Sequence, residues 1–547
     1  MKIFSILFLL ILFSAAAFSQ DDTYKTDPQV KYYRPYVTTG ADHNYLDNIL
    51  FVNNNLTVNT APQNEPSVRI SRINSNIVVA AWRDFRLGYT NPVIRRIGYS
   101  YSTNGGLTWA APQLLPDPMP GHATQSDPVL MSDNNGIFYI ATTSREATNV
   151  RGETVVYRST NNGVNWLKYS VAAASSSFED KEWITCDLVP GSPNFNNLYI
   201  TWTRIGSGIR FVKSSNGGLN WTTPVNVGDN SAGQGSNVAV GTNYYIYVVW
   251  GESAGIKFDK STNGGTSFGT DYQLSNVVGN VKGSFPFISV DYSNHATRGN
   301  VYVVWADNRG GNDDVWFNRS TNAGANWLTN PVRVNDVQTG HQYKPAIACD
   351  TNGNIGVIYY DERTGAGIVN SWYAFSTNQG TTWNNQRVSD SSFTYISIGS
   401  EVRNGEYIGI DAYQNKVITV WCDDRKGTPN QEIYTANLNY VVSVQNNGEP
   451  VPSSYALLQN YPNPFNPETV IEYYLPKKAY VTLKIHDING RIVKTLVTGE
   501  KGAGKQGEKF NSSALSSGVY FYTITAVDIS GDAGQMFTDT KKMILIK

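Results

Sequence analysis

Cysteine is nearly absent: Cys186, Cys349 and Cys422 are the only three in 547 residues. An odd, low count excludes a disulfide framework. Cys186 (ITCD) and Cys349 (IACD) stand at matching places of a repeated pattern and read as small core residues. Histidine is scarce too, at five, and no His/Cys cluster exists. No metal site is therefore expected, and nothing calls for a cofactor. Charge is sparse, at 16%, and balanced to a net of −1, which leaves no basic footprint for nucleic acid. Long apolar runs are confined to the start. Met1 to Ser19 has Lys2, the apolar run Ile3 to Phe13 and then Ala15-Ala16-Ala17-Phe18-Ser19. That is the layout of a secretory signal peptide cleaved after Ser19. The run is too short for an integral membrane span, and no later segment approaches one.

Aromatic residues (12%), Gly, Asn, Ser and Thr are plentiful, a profile that suits strands and turns rather than long helices. One octapeptide recurs six times, as STNGGLTW (102–109), STNNGVNW (159–166), SSNGGLNW (214–221), STNGGTSF (261–268), STNAGANW (320–327) and STNQGTTW (376–383). A fixed motif at intervals of about 47 to 59 residues is a repeat architecture. Its Asn (Asn104, Asn161, Asn216, Asn263, Asn322, Asn378) can accept hydrogen bonds from backbone N–H groups just downstream. The Gly suits positive φ, and the closing Trp or Phe offers a large apolar surface to a neighbouring sheet.

The octapeptide resembles the Asp-box (BNR repeat) of sialidase-like β-propellers, with Asn at the Asp position in all six copies. The resemblance implies that these turns are scaffold, away from the ligand face. Each box follows a similar set of strands. FPFISVD, NVYVVWADNR and DVWFNRSTN precede the fifth box, and NPVRVND follows it. Four-stranded antiparallel units at this period are propeller blades. Six boxes give six blades. A seventh unit without a box follows: EYIGIDA (406–412), KVITVWCDDR (416–425) and EIYTANL (432–438). Its fourth strand is expected from the N-terminal side, at Asn55 to Asn59, which would close the ring and remove its edges. The expected fold is all-β, a seven-bladed propeller (alternatively six-bladed) over 48–440. A signal peptide (1–19) and an N-terminal extension (20–47) precede it, and a linker (441–456) and a small β-sandwich (457–547) follow.

The last segment carries NYPNPFNP, a DINGR turn, the strand SGVYFY and the ending KKMILIK. It is similar to the type A C-terminal sorting domain of the type IX secretion system. That resemblance implies the secretion machinery as a partner, and a product released or attached to the outer cell surface.

Chemistry is expected on the face opposite the boxes. The second-strand ends there read Trp82-Arg83-Asp84-Phe85-Arg86, Trp305-Ala306-Asp307-Asn308-Arg309, Tyr360-Asp361-Glu362-Arg363 and Trp421-Cys422-Asp423-Asp424-Arg425. Weaker versions end in Arg145, Arg204 and Glu252. Arg86, Arg309, Arg363, Arg425 and Asp307 are candidates for binding a glycan or acidic ligand, because Arg takes carboxylates bidentately. The bland alternative is a repeated Asp–Arg pair locking each loop, and repetition favours it, since a single active site needs asymmetry. Asp84, Asp361, Asp423 and Tyr407 are the catalytic candidates. The sialidase family would need an Arg triad, a Tyr nucleophile helped by Glu and an Asp acid/base. Its first Arg stands before a Pro, where this chain has Gln63-Asn64-Glu65-Pro66. The other first strands start at Asp127, Glu182, Asn237, Phe285, Lys344 and Glu406, with no Arg among them. Tyr407 stands at the start of the last blade without the family's flanking motif. Two readings stay open: a glycan- or polysaccharide-binding propeller, and a glycoside hydrolase using paired carboxylates on the open face.

Overall fold

The structure, a computed structural model, describes residues 51–89, 94–117, 122–146, 152–175, 177–276, 284–394, 404–427, 430–438, 454–501, 504–529 and 536–547. The anticipated signal peptide and N-terminal extension, and nearly all of the linker, lie outside them. The chain divides into two compact units, Met1–Val441 and Val442–Lys547.

The described residues of the first unit form seven antiparallel sheets, six of them meanders of consecutive strands. In the first sheet these strands are Gln63–Ile70, Val78–Asp84, Arg96–Ser102 and Gln113–Leu114. Second strands such as Val78–Asp84, Ile246–Glu252, Val301–Asp307 and Ile355–Asp361 are buried at every residue. Dense apolar strands of this kind need cover on both faces, and adjacent sheets supply it. The first strands of all seven sheets contribute residues to one central cavity of about 420 Å³. Sheets stacked around a shared channel make this unit a β-propeller.

The seventh sheet combines Gly409–Tyr413, Lys416–Asp423 and Glu432–Asn437 with Asn53–Asn55 from the other end of the chain. Asn53 pairs with Ala436 and Asn55 with Tyr434. The strand stops at Asn55, earlier than the sequence suggests. Asn55 Oδ1 accepts from the backbone N–H of Thr57 (2.9 Å) and Val58 (3.2 Å), and Val58 has φ 41°, so the chain turns away there.

In every octapeptide the Asn Oδ1 accepts the N–H four residues on, at 2.8 to 3.0 Å. The opening Ser hydroxyl donates to the same Oδ1 and accepts the N–H of the second Gly position. The closing aromatic crosses to the preceding sheet. Trp166 meets Tyr99, Phe268 meets Phe211, Trp327 meets Phe258 and Trp383 meets Phe317, with ring centroids 4.9 to 5.9 Å apart. Each turn thus pins one sheet to the next.

The second unit holds two sheets. One comprises Ala456–Leu457, Glu468–Leu475 and Gly504–Asn511; the other comprises Ile492–Lys501, Ala479–His486, Gly518–Asp528 and Met536–Leu545. Strict alternation in 468–475 and 479–486 buries Ile471, Tyr473, Val481, Leu483 and Ile485 in its core. Among the described residues no helix is long and apolar enough to cross a membrane.

Candidate functional site

The carboxylates singled out at the second-strand ends are all fully buried: Asp84, Asp307, Asp361 and Asp423. Each accepts the backbone N–H and the guanidinium of the arginine two residues on. For Asp84 the guanidinium contacts are 3.0 Å (Arg86 Nε) and 2.6 Å (Arg86 Nη2). Arg309, Arg363 and Arg425 repeat the pattern on Asp307, Asp361 and Asp423. The indole N–H of Trp82, Trp305 and Trp421 donates to Asp84, Asp307 and Asp423 at 2.8 to 3.1 Å. The four guanidinium groups have further protein partners: Pro112 O for Arg86, Ser275 Oγ for Arg309, Asp336 for Arg363 and Asp390 for Arg425. Arg363, Arg425 and Arg309 also lie over Trp372, Tyr434 and Trp316, at 3.5, 4.0 and 4.7 Å from the ring centroids. Burial pushes the Asp361 and Asp423 carboxyls up, against the downward pull of Arg363 and Arg425. Weaker copies use the same chemistry. Arg204 and the Trp202 indole converge on Glu179, and Trp250 donates to Glu252. These groups are spread around the ring and tie down loops.

The structure gathers a different set at the channel mouth. Glu65, Asp127, Lys181 and Lys344, from four different first strands, all have positive φ, between 51° and 56°. Each sits where its strand slips register against the second strand, between Asn64 and Ser67, Ser126 and Val129, Asp180 and Trp183, and Tyr343 and Ala346. A bulge of this kind re-aims a side chain and costs backbone energy for a residue that is not glycine. Gly235 occupies the equivalent slip in the fourth sheet, with φ 67°.

Lys181 is the hub. Its ammonium contacts Asp127 at 2.6 Å, Glu65 at 3.8 Å and Glu406. Arg83 reaches Glu65 at 3.1 Å, and Arg145 reaches Asp180 at 2.6 Å and Asp127 at 3.7 Å. Glu182 accepts from the Thr143 hydroxyl. Tyr407 lies beneath, buried, its hydroxyl donating to Pro128 O at 3.3 Å and its ring 6.0 Å from Trp183. Three cations thus face five carboxyl groups. Burial holds Glu182 well above the carboxylate range and lifts Glu65 to about 7, against the pull of Arg83 and Lys181. Lys181, Arg145 and Arg83 outweigh burial at Asp127 and hold it well below. Glu406 is likewise held down, by Lys181 above all against burial. Burial pushes the Tyr407 hydroxyl well up, away from a nucleophilic phenolate.

Oxygens of Glu65, Asp127 and Glu406 lie within 4.8 Å of one another, close enough to share a metal ion. The Lys181 ammonium bonded among them supplies the cation such a trio requires. On this side the cavity between Lys181, Trp183, Asn237, Phe285 and Tyr407 measures only about 20 Å³.

In the sequence Glu65, Asp127, Lys344 and Glu406 stand out as strand starts, not as a charged cluster. The signal was a charged residue before proline at 65–66, 127–128 and 344–345, recurring at the head of a first strand.

Residues 459–532 match the secretion system C-terminal sorting domain, the type IX tail anticipated from NYPNPFNP. That domain marks the chain for export and for secretion or attachment to the cell surface. No curated protein matches the sequence. Among solved structures, the chain is similar to a protein of unknown function from Dyadobacter fermentans, at 12% identity and TM-score 0.43 over 71% of this chain and 97% of that one. It is similar to a leech intramolecular trans-sialidase, at 13% identity and TM-score 0.40 over 74% and 71%. It is also similar to an α-L-arabinanase from Penicillium chrysogenum, at 12% and 0.39 over 70% and 97%.

Proposed function

We propose that this protein is an exported, seven-bladed propeller that binds glycan on its open face without cleaving it. Seven sheets, and a seventh completed by Asn53–Asn55, support the blade count. The charged cluster supports a ligand face there: buried charges and strained bulges are costly, and they concentrate where function needs them. Unlike the ring of Asp–Arg pairs it is asymmetric, drawn from the first, second, third and seventh sheets. Glu406, about a quarter exposed, reaches its solvent edge, with Arg83, Arg145 and Asp180 just behind it, and together they offer the mixed donors and acceptors that hydroxyl-rich ligands take up.

One observation favours binding over cleavage. Among the described residues the cavity that Asp127 and Glu182 line holds about 20 Å³, the space of roughly one water and far less than a sugar ring, and neither Glu65 nor Glu406 lines it. A hydrolase must seat a ring between two carboxylates. A specific feature supports the second reading, a glycoside hydrolase. Glu65, raised to about 7, stands beside Asp127 and Glu406, both held low, and such a split is how an acid and a base are told apart.

The test is incubation of the mature chain with sialylated, plant and algal polysaccharides, reading retained ligand and released products by mass spectrometry. Retention without products, weakened in Arg145→Gln, is the expected result. Released sugars that vanish in Glu65→Gln would establish the hydrolase instead.

A further inference from the structure

The same channel has a second chamber that the charged cluster does not use. Below Trp183 and Phe287 lies the cavity of about 420 Å³, within the ~300–1,000 Å³ typical of small-molecule sites. Its walls include Val68, Leu130, Ile184, Ile288 and Ile347 from five first strands. Strand direction fixes its mouth. First strands start at the charged cluster and run toward the turns into the second strands, on the same side as the octapeptides. Arg298 and Thr351, both exposed, line it at that side.

Two guanidinium groups at this mouth are under-satisfied. Arg69 and Arg72 share one carboxylate, Asp411, at 3.4 and 2.7 Å, and Asp411 is also spent on the Ile70 N–H at 2.7 Å. Arg69 also contacts the Met131 thioether at 2.9 Å, a weak acceptor for a cation. Arg69 Nε and Arg72 Nη1 are buried without a hydrogen-bond partner. Burial pushes the Arg69 guanidinium down to about 10 despite Asp411. Buried donors without acceptors are costly, and the group that relieves them must be an acceptor. The charged lining is Arg69, Arg72 and Arg298 against Asp411 and Asp350, which leaves a single positive charge and suits a monoanion.

We propose that this blind chamber binds a small aliphatic monocarboxylate. Its carboxylate lies on Arg69 and Arg72 at the mouth, and its chain runs between the first strands toward Trp183. The site is independent of glycan binding, since the two lie at opposite ends of the channel.

Calorimetric titration of the full mature chain with octanoate tests this, with 1-octanol as the uncharged control. One octanoate per chain is expected, with 1-octanol about tenfold weaker or worse. Arg69→Gln should weaken octanoate by about tenfold, the loss of a charged hydrogen bond. Ser289→Phe narrows the chamber from the fifth sheet, away from Asp411 on the seventh and Arg69 on the first, and should abolish binding; it decides the matter if Arg69→Gln fails to fold. Absence of octanoate binding, equal binding of 1-octanol, or octanoate binding unchanged by Ser289→Phe would overturn the proposal.

Discussion

Glu65 joins the two opposing demands on a buried charge, desolvation and pairing. An unfolded Glu releases its proton near 4.5, and the folded Glu65 near 7. Between these values the native state holds a proton that the unfolded chain has lost, so stability falls as pH rises through that window. Asp127 and Glu406 are held low and act in the opposite sense: their contribution is complete above about 4.5 and is lost as pH falls. Glu65→Gln, which keeps the shape and removes the titration, should flatten the decline between pH 4.5 and 7. It should leave the variant more stable than the parent at pH 8, by on the order of 1–3 kcal/mol. Urea midpoints at pH 5, 6, 7 and 8 read this directly; parallel profiles for the two proteins would count against it. The Asp–Arg pairs yield a different expectation. Asp361→Ala removes the buried acceptor of the Arg363 Nε and backbone N–H and leaves the guanidinium to Asp336 alone, so the loss falls at the low end of the about 3–5 kcal/mol that breaking a buried pair costs. Denaturant unfolding should show that loss, while polysaccharide retention by the folded fraction stays unchanged because Asp361 lies off the cluster. These pairs were legible in sequence because each is local, two residues apart.

At the scale of the element, the octapeptide shows why Asn can replace Asp. In the fifth turn the Asn322 side chain works through Oδ1, which accepts from the Ser320 hydroxyl and from the Asn326 N–H at 2.8 Å. Asn322→Asp keeps both bonds and should leave the melting temperature within about a degree, whereas Asn322→Ala should cost about 1 kcal/mol. Gly324→Ala should cost more than either, since φ is +72° and its Cβ would stand 2.5 Å from the Phe258 ring. Thermal melts of the three variants order them. The first-strand bulges are the contrasting element. Their turn-like slip has no short motif beyond a charged residue and a proline. What they build, a cluster fed by four sheets, depends on the ring being closed. Each Glu, Asp and Lys is legible in the sequence but their meeting is not, because the partners of Lys181 lie 54 residues away at Asp127 and just ahead of the last sheet at Glu406.

For the whole molecule, the decisive step is the return of the chain to its own beginning. The period and the missing fourth strand point to it, but the closing strand is Asn53–Asn55 and not Asn55 to Asn59, because Asn55 spends its side chain on the turn that ends the strand. Asn53–Asn55 is short, yet it covers the edge of Glu432–Asn437 and brings Asn53 Nδ2 to Val388 O in the sixth sheet at 3.0 Å. Removing residues 1–59 should therefore act far beyond three residues of pairing. The edge of Glu432–Asn437 becomes free to pair with other chains. The seventh sheet loses its covalent link to the first and is left with packing and the Asp411 contacts to Arg69, Arg72 and Ile70. The truncated chain should melt at lower temperature and self-associate with concentration in light scattering. Adding back a peptide spanning residues 48–60 should restore the monomer, as a strand donated in trans satisfies the same edge. A truncated chain that stays monomeric and melts like the parent would mean that the ring is held by its sheet-to-sheet aromatic contacts alone, with the closing strand contributing little.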